Sequence, residues 1–186
     1  MKPLGLRSTH VAAVGVRYNL TILNQHTKGD LLNAKQLRKL ITDVLKQMDM
    51  YSESALELLM LTAAQESHCG NYIEQLGTGP ARGIFQMEPA TEKDIWENYL
   101  KYKPALAAKV SEFDISPALD DLDLTANLAY QIAIARCHYQ RFSERLPSAS
   151  DLSGLARYWK KYWNTVKGAG TVEEAMSNYN RYALEV

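Results

Sequence analysis

Glu66 is the residue of this chain whose type and position point most directly to chemistry. It closes an apolar run (Leu56, Leu58, Leu59, Met60, Leu61, Ala63, Ala64) and stands just before a stretch punctuated by Gly70, Gly77, Gly79, Pro80, Gly83 and Pro89. Apolar walls disfavour the ionised form of a carboxyl group. It then keeps its proton to a higher pH and can donate it to a leaving oxygen. On position alone the alternative is a solvated glutamate at a helix end. Glu74 and Glu88 are further carboxylates in the same stretch. His68-Cys69 and Cys137-His138 carry ligand-type side chains, but they lack the close paired spacing of a structural zinc site, and adjacent helical residues diverge, so no metal is expected. Val14-Gly15-Val16 is not followed by Gly-Lys-Ser/Thr, so no phosphate loop is expected, and no cofactor. Two cysteines make no disulfide framework. Free, partly buried thiols are expected, with a single Cys69–Cys137 bridge left open.

The elements that must position Glu66 follow from periodicity and punctuation. Residues 1–32 carry scattered β-branched residues, glycines and a turn at Thr27-Lys28-Gly29-Asp30, and read as an irregular N-terminal arm. Residues 33–186 read as one helical domain. Asn33 is placed to cap a helix whose Leu37, Leu40, Ile41, Val44, Leu45 and Met48 share one face. Ser54 and Glu57 have capping-box spacing for a helix over residues 55–67 that is apolar nearly all round, and hence central. Residues 68–89 cannot form a regular helix and are expected to fold as a loop or a small β element. Helical pattern resumes near Thr91 and breaks before Pro104. One long helix is expected over residues 121–142 and another, rich in aromatics, over 151–166. Thr171 and Glu174 have capping-box spacing for a terminal helix reaching Tyr182. Tyr158, Trp159, Tyr162 and Trp163 are either core or a surface on which sugar rings stack. The predicted class is mainly α, with a Gly-rich loop or small β element between helices.

Glu66-Ser67, followed after a loop by Ala81-Arg82-Gly83-Ile84-Phe85-Gln86 and Pro89-Ala90-Thr91, resembles the soluble lytic transglycosylase family of the lysozyme-like superfamily. That family typically reads Glu-Ser, a loop, Gly-Ala-Arg-Gly-Leu-Met-Gln, two variable positions and Pro-Ala-Thr. Asn127-Leu128 and Asn178-Tyr179-Asn180 fall, in order, where the family has an Asn-Ile pair and an Ala-Tyr-Asn-Ala-Gly motif, so the resemblance covers residues 52–182. It implies an α+β lysozyme-like catalytic domain that cleaves the β-1,4 bond between N-acetylmuramic acid and N-acetylglucosamine in peptidoglycan. It also implies Glu66 as the catalytic acid, with Ser67, Gly83, Gln86, Tyr179 and Asn180 around the substrate. Gln86 would line the sugar groove, Tyr179 would face the acid, and Gly83 would let backbone approach the glycan. The chain departs from the pattern at Arg181-Tyr182, which replace Ala-Gly, and in lacking a glycine shortly after Asn127.

Glu88 bears on reaction type. It stands two residues after Gln86, where transglycosylases carry an apolar or neutral residue and the related goose-type lysozymes often carry an aspartate. With Glu66 alone, the sugar's C6 hydroxyl closes the ring and an anhydro product results. With Glu88 as a base, water attacks instead; an inverting pair needs carboxyls roughly 6.5–9.5 Å apart. The alternative for Glu88 is a solvated charge at a helix start.

Composition narrows the remaining classes. Hydrophobic residues at 46% and charged residues at 23% suit a folded domain with a sizeable core. Twenty-one basic and 21 acidic side chains cancel, so no global field draws in nucleic acid or an anionic membrane. No apolar run reaches the roughly 20 residues that span a bilayer. The apolar run over residues 11–16 is shorter than a secretory core of about 7–15 residues, and no signal peptide is read. With the resemblance, this implies a bacteriophage product made in the host cytoplasm, either an endolysin or a virion component, acting on glycan strands of the wall. A rival expectation is a structural virion or interaction protein docking on virion proteins through residues 1–32.

Overall fold

Asn33 opens the first helix, α1 (Ala34–Gln47), its side chain accepting from the backbone N–H groups of Lys35 and Gln36. The apolar face read from the sequence is the buried one, with Leu37, Ile41, Val44 and Leu45 turned inward. The computed structural model describes residues 32–115, 122–165 and 168–184. The arm and its turn at residues 27–30 lie outside the described residues, apart from Leu32, which packs against the core.

Helix α2 (Glu53–Ser67) begins earlier than its capping-box spacing predicts. Ser52 caps it by accepting from the Ala55 N–H, and Glu57 is drawn instead into an ion pair with Arg38 of α1. A tertiary charge partner outweighs a local cap. The helix is central as expected: Leu58, Leu59, Met60, Leu61, Ala63 and Ala64 are almost wholly buried. It packs against α1 and against the helices that begin at Leu128, Leu152 and Val172. Burying each such Leu or Met contributes roughly 1.5–3 kcal/mol, so this helix is the post on which Glu66 is mounted.

Helix α3 (Pro89–Asn98) starts with proline, whose missing N–H costs nothing in a first turn. A 3₁₀ turn over Leu100–Tyr102 follows, and Pro104 opens α4 (Pro104–Ser111). The single helix expected over 121–142 is two. Helix α5 (Leu122–Ala126) stops at Asn127, which caps α6 (Leu128–Gln140) by accepting from the Tyr130 N–H while donating to the Phe113 carbonyl and the Asp123 carboxylate. An asparagine that satisfies three groups at a bend stabilises the break more than a straight helix would. Helix α7 (Leu152–Trp159) likewise runs shorter than predicted and continues as π-helix over Lys160–Asn164. Thr171 caps α8 (Val172–Asn178), which passes into a second π-helical turn, Tyr179–Ala183.

The molecule is thus mainly helical. Between α2 and α3 the chain is irregular, carrying two isolated antiparallel bridges, Glu74 to Arg82 and Arg82 to Met87, and no strand occurs among the described residues. No helix of the described residues is long and apolar enough to cross a membrane.

Candidate active site

Helix α2 ends by reversing its backbone just past Glu66. His68 and Cys69 both take the left-handed conformation (φ 54° and 57°), and Gly70 follows at φ 92°. Two consecutive non-glycine residues in this region are held by their surroundings. The His68 and Cys69 N–H groups donate to the carbonyls of Ala64 and Ala63. The Ser67 hydroxyl donates to the Ile84 carbonyl at 2.6 Å and accepts from the Gly70 N–H at 2.9 Å. The His68 ring stacks on Tyr182 with centroids 4.3 Å apart.

The segment Gly83–Gln86 is fixed from two sides. Ser67 holds the Ile84 carbonyl, and the Gln131 side chain on α6 accepts from the Ile84 N–H at 2.8 Å. Gly83, at φ 72°, leaves no room for a side chain, since a Cβ there would lie 2.2 Å from the Leu124 carbonyl oxygen. Its small size therefore serves packing of the loop on α5 and α6. Gln86, also left-handed at φ 46°, donates from its amide to the Gly83 carbonyl.

These devices bring Glu66, Gln86 and Glu88 to the wall of one cavity of about 460 Å³, together with Tyr72, His138 and Trp163. That volume is in the usual range for a small-ligand site. Glu66 is half-buried, one edge reaching the cavity and the rest packed in protein. Burial pushes its carboxyl up to about 7, against the opposing effect of a hydrogen bond from Trp159 and with a smaller push from the charge of Glu174. Trp159 is fully buried on α7, and its Nε1–H donates to Glu66 Oε1 at 2.9 Å. An Oε1 that accepts leaves Oε2 to carry the proton, so the indole fixes both the orientation of the acid and which oxygen donates. Gly170 allows this seat, because a Cβ there would lie 2.8 Å from the Trp159 ring.

His138 is held neutral. Burial lowers it to about 4, its Nε2 faces the Tyr162 carbonyl at 2.8 Å, and Arg141 meets its Nδ1 at 2.8 Å. With a carbonyl at Nε2 and a guanidinium at Nδ1, the proton belongs on Nε2. The ring stiffens the cavity wall and lies 4.7 Å from the ring of Trp163.

The remaining predicted residues fall elsewhere. Tyr179 does not line the cavity; its hydroxyl donates to Glu57 and sits 3.5 Å from Arg38, tying α8's π-turn to α1 and α2. Ser67 is fully buried and orders the loop, which removes it from direct reach of a substrate. Asn180 is exposed on the π-turn, apart from the cavity lining. Glu74 is exposed in the loop. Tyr158 and Trp159 are core, whereas Trp163 is half-buried on the cavity wall. Cys69 and Cys137 are both buried, and no disulfide joins them. Among the described residues no three His, Cys, Asp or Glu side chains gather as metal ligands.

The sequence reading does not give Trp159 as the partner of Glu66 or His138 as part of the cavity wall, and it does not single out Tyr72 or Gln131. Gln131, a polar residue on the buried face of α6, is the one that carried a local signal. Comparison with protein-family models, with curated proteins and with solved structures finds no match for the chain.

Proposed function

We propose that this chain is a lysozyme-like glycosidase that cleaves the β-1,4 bond between N-acetylmuramic acid and N-acetylglucosamine in peptidoglycan. The observation that carries the reading is the Glu66 carboxyl, raised to about 7 by burial and opening on a cavity that Gln86 also lines. Such a group is largely protonated just below neutrality and becomes a competent base once it has given up its proton. In the lytic reaction, Glu66 Oε2 gives its proton to the glycosidic oxygen as the C1–O bond breaks. The resulting carboxylate then takes the proton of the C6 hydroxyl as that oxygen bonds to C1, leaving a 1,6-anhydro end and restoring the acid. Gln86 and Trp163 would hold the sugars.

A hydrolytic muramidase is the second reading, favoured by the presence of Glu88 on the same cavity. There Glu88 would take a proton from water attacking C1. Mass spectrometry of fragments released from purified peptidoglycan tests both. Anhydro ends support the lytic reaction, and reducing ends that vanish in Glu88→Gln support hydrolysis. An absence of fragments cut at this bond would end the proposal. A bacteriophage source, as endolysin or virion component, goes with this reading; detection of the native protein in purified virions separates the two.

A further inference from the structure

Arg136 projects from the face of α6 that is turned away from the cavity. It stands two residues, about 200° of helix, from His138 on the cavity wall. Only 8% of its surface is exposed, yet it forms no ion pair, and its Nε meets no acceptor among the described residues. The buried Nε–H pays desolvation without return, and the terminal nitrogens have no acidic partner among the described residues. Its surroundings add to the imbalance. The hydroxyls of Tyr99 and Tyr158, bonded to the carbonyls of Gln140 and Glu144, flank it within electrostatic reach. Lys103 stands 5.2 Å over the Tyr99 ring and has no acidic partner among the described residues. Arg141, which also faces Tyr99, is paired with Asp94. Nearby Lys161 and Glu144 neutralise one another. Three cations less one carboxylate leave two positive charges around one tyrosine.

We propose that the seam between Tyr99 and Tyr158 is a phosphate-binding site, with Arg136 as its anchor and Lys103 and Arg141 supplying the surrounding field. A phosphate group, carrying about −1.5 to −2 near neutrality, matches the surplus better than a carboxylate does. The planar guanidinium is suited to its oxygens. The site is separate from Glu66 and does not depend on the reaction assigned there.

Titration calorimetry of the full chain with inorganic phosphate, in chloride of matched ionic strength, tests the assignment. Wild type should bind, Arg136→Met should bind about tenfold more weakly or worse, and Lys103→Gln should show a smaller loss. Without phosphate, Arg136→Met should melt at least as high as wild type, since it removes an uncompensated buried charge. If that variant does not fold, Arg136→Lys, which keeps charge but loses the fork, should also weaken binding. Equal phosphate binding by wild type and these variants would overturn the proposal, as would acetate binding as tightly as phosphate. Co-sedimentation with phosphatidic acid vesicles, reversed by free phosphate, would support the site with a lipid headgroup as source. Binding of free phosphate without vesicle binding would support it with a soluble source.

Discussion

Replacing Glu66 by glutamine should make the protein more stable, and by an amount that depends on pH. The folded carboxyl is raised from 4.5 to about 7 by burial. The folded state therefore holds the proton more tightly than the unfolded chain does. Below pH 4.5 both states are protonated and nothing is lost. As pH rises towards 7 the unfolded chain releases its proton first, and stability falls; above 7 the full penalty of about 3 kcal/mol is present. Glutamine is neutral throughout and keeps an oxygen to accept from Trp159. The stability advantage of Glu66→Gln should accordingly be about 2–3 kcal/mol larger at pH 8 than at pH 5. For a domain of this size that is about 5–10 °C in melting temperature. Thermal denaturation followed by circular dichroism at the two pH values reads it directly. A difference between wild type and variant that stays constant with pH would mean that burial does not raise the Glu66 carboxyl above its ordinary range.

Further outcomes follow from the same contacts. The indole of Trp159 lowers the Glu66 value and the charge of Glu174 raises it, so Trp159→Phe should move the Glu66 midpoint up and Glu174→Gln should move it down. Carbon-13 NMR titration of labelled glutamate would show these shifts, and movement in the reverse directions contradicts the electrostatic picture. Gly83→Ala forces a Cβ to within 2.2 Å of the Leu124 carbonyl oxygen at φ 72°. It should cost about 2 kcal/mol or more in urea denaturation; a neutral outcome would show that the loop is not held against α5. Tyr179→Phe removes a hydroxyl that joins Glu57 and Arg38. It should lower stability by about 1 kcal/mol and leave peptidoglycan cleavage intact; lost cleavage with unchanged stability would instead put Tyr179 at the substrate.

Local chemistry was readable in the sequence, and long-range pairing was not. Asn33 and Thr171 cap their helices because a short polar side chain before an apolar period is a local signal. The buried face of α1 and the central place of α2 follow from composition and period alone. Ser54 and Glu57 also have a local signature, but Glu57 is taken by Arg38, 19 residues away, and by Tyr179, 122 residues away. The break at Asn127 depends on the Phe113 carbonyl, which only the folded chain brings near. At the site, the junction of an apolar helix with a glycine-rich loop marked Glu66. Its partner Trp159 lies 93 residues downstream among aromatics whose spacing equally fits core packing. Tyr179 was placed by resemblance to a motif, and the residues after it, Arg181 and Tyr182, are where this chain departs from that motif.

Digestion of purified peptidoglycan by wild type and Glu66→Gln, both shown to be folded by their melting curves, asks whether the Glu66 proton drives cleavage. Wild type should release soluble glycan fragments, and the variant should lose at least about 100-fold in rate, the usual contribution of a general acid. Equal release by the two proteins would remove the Glu66 proton from the mechanism.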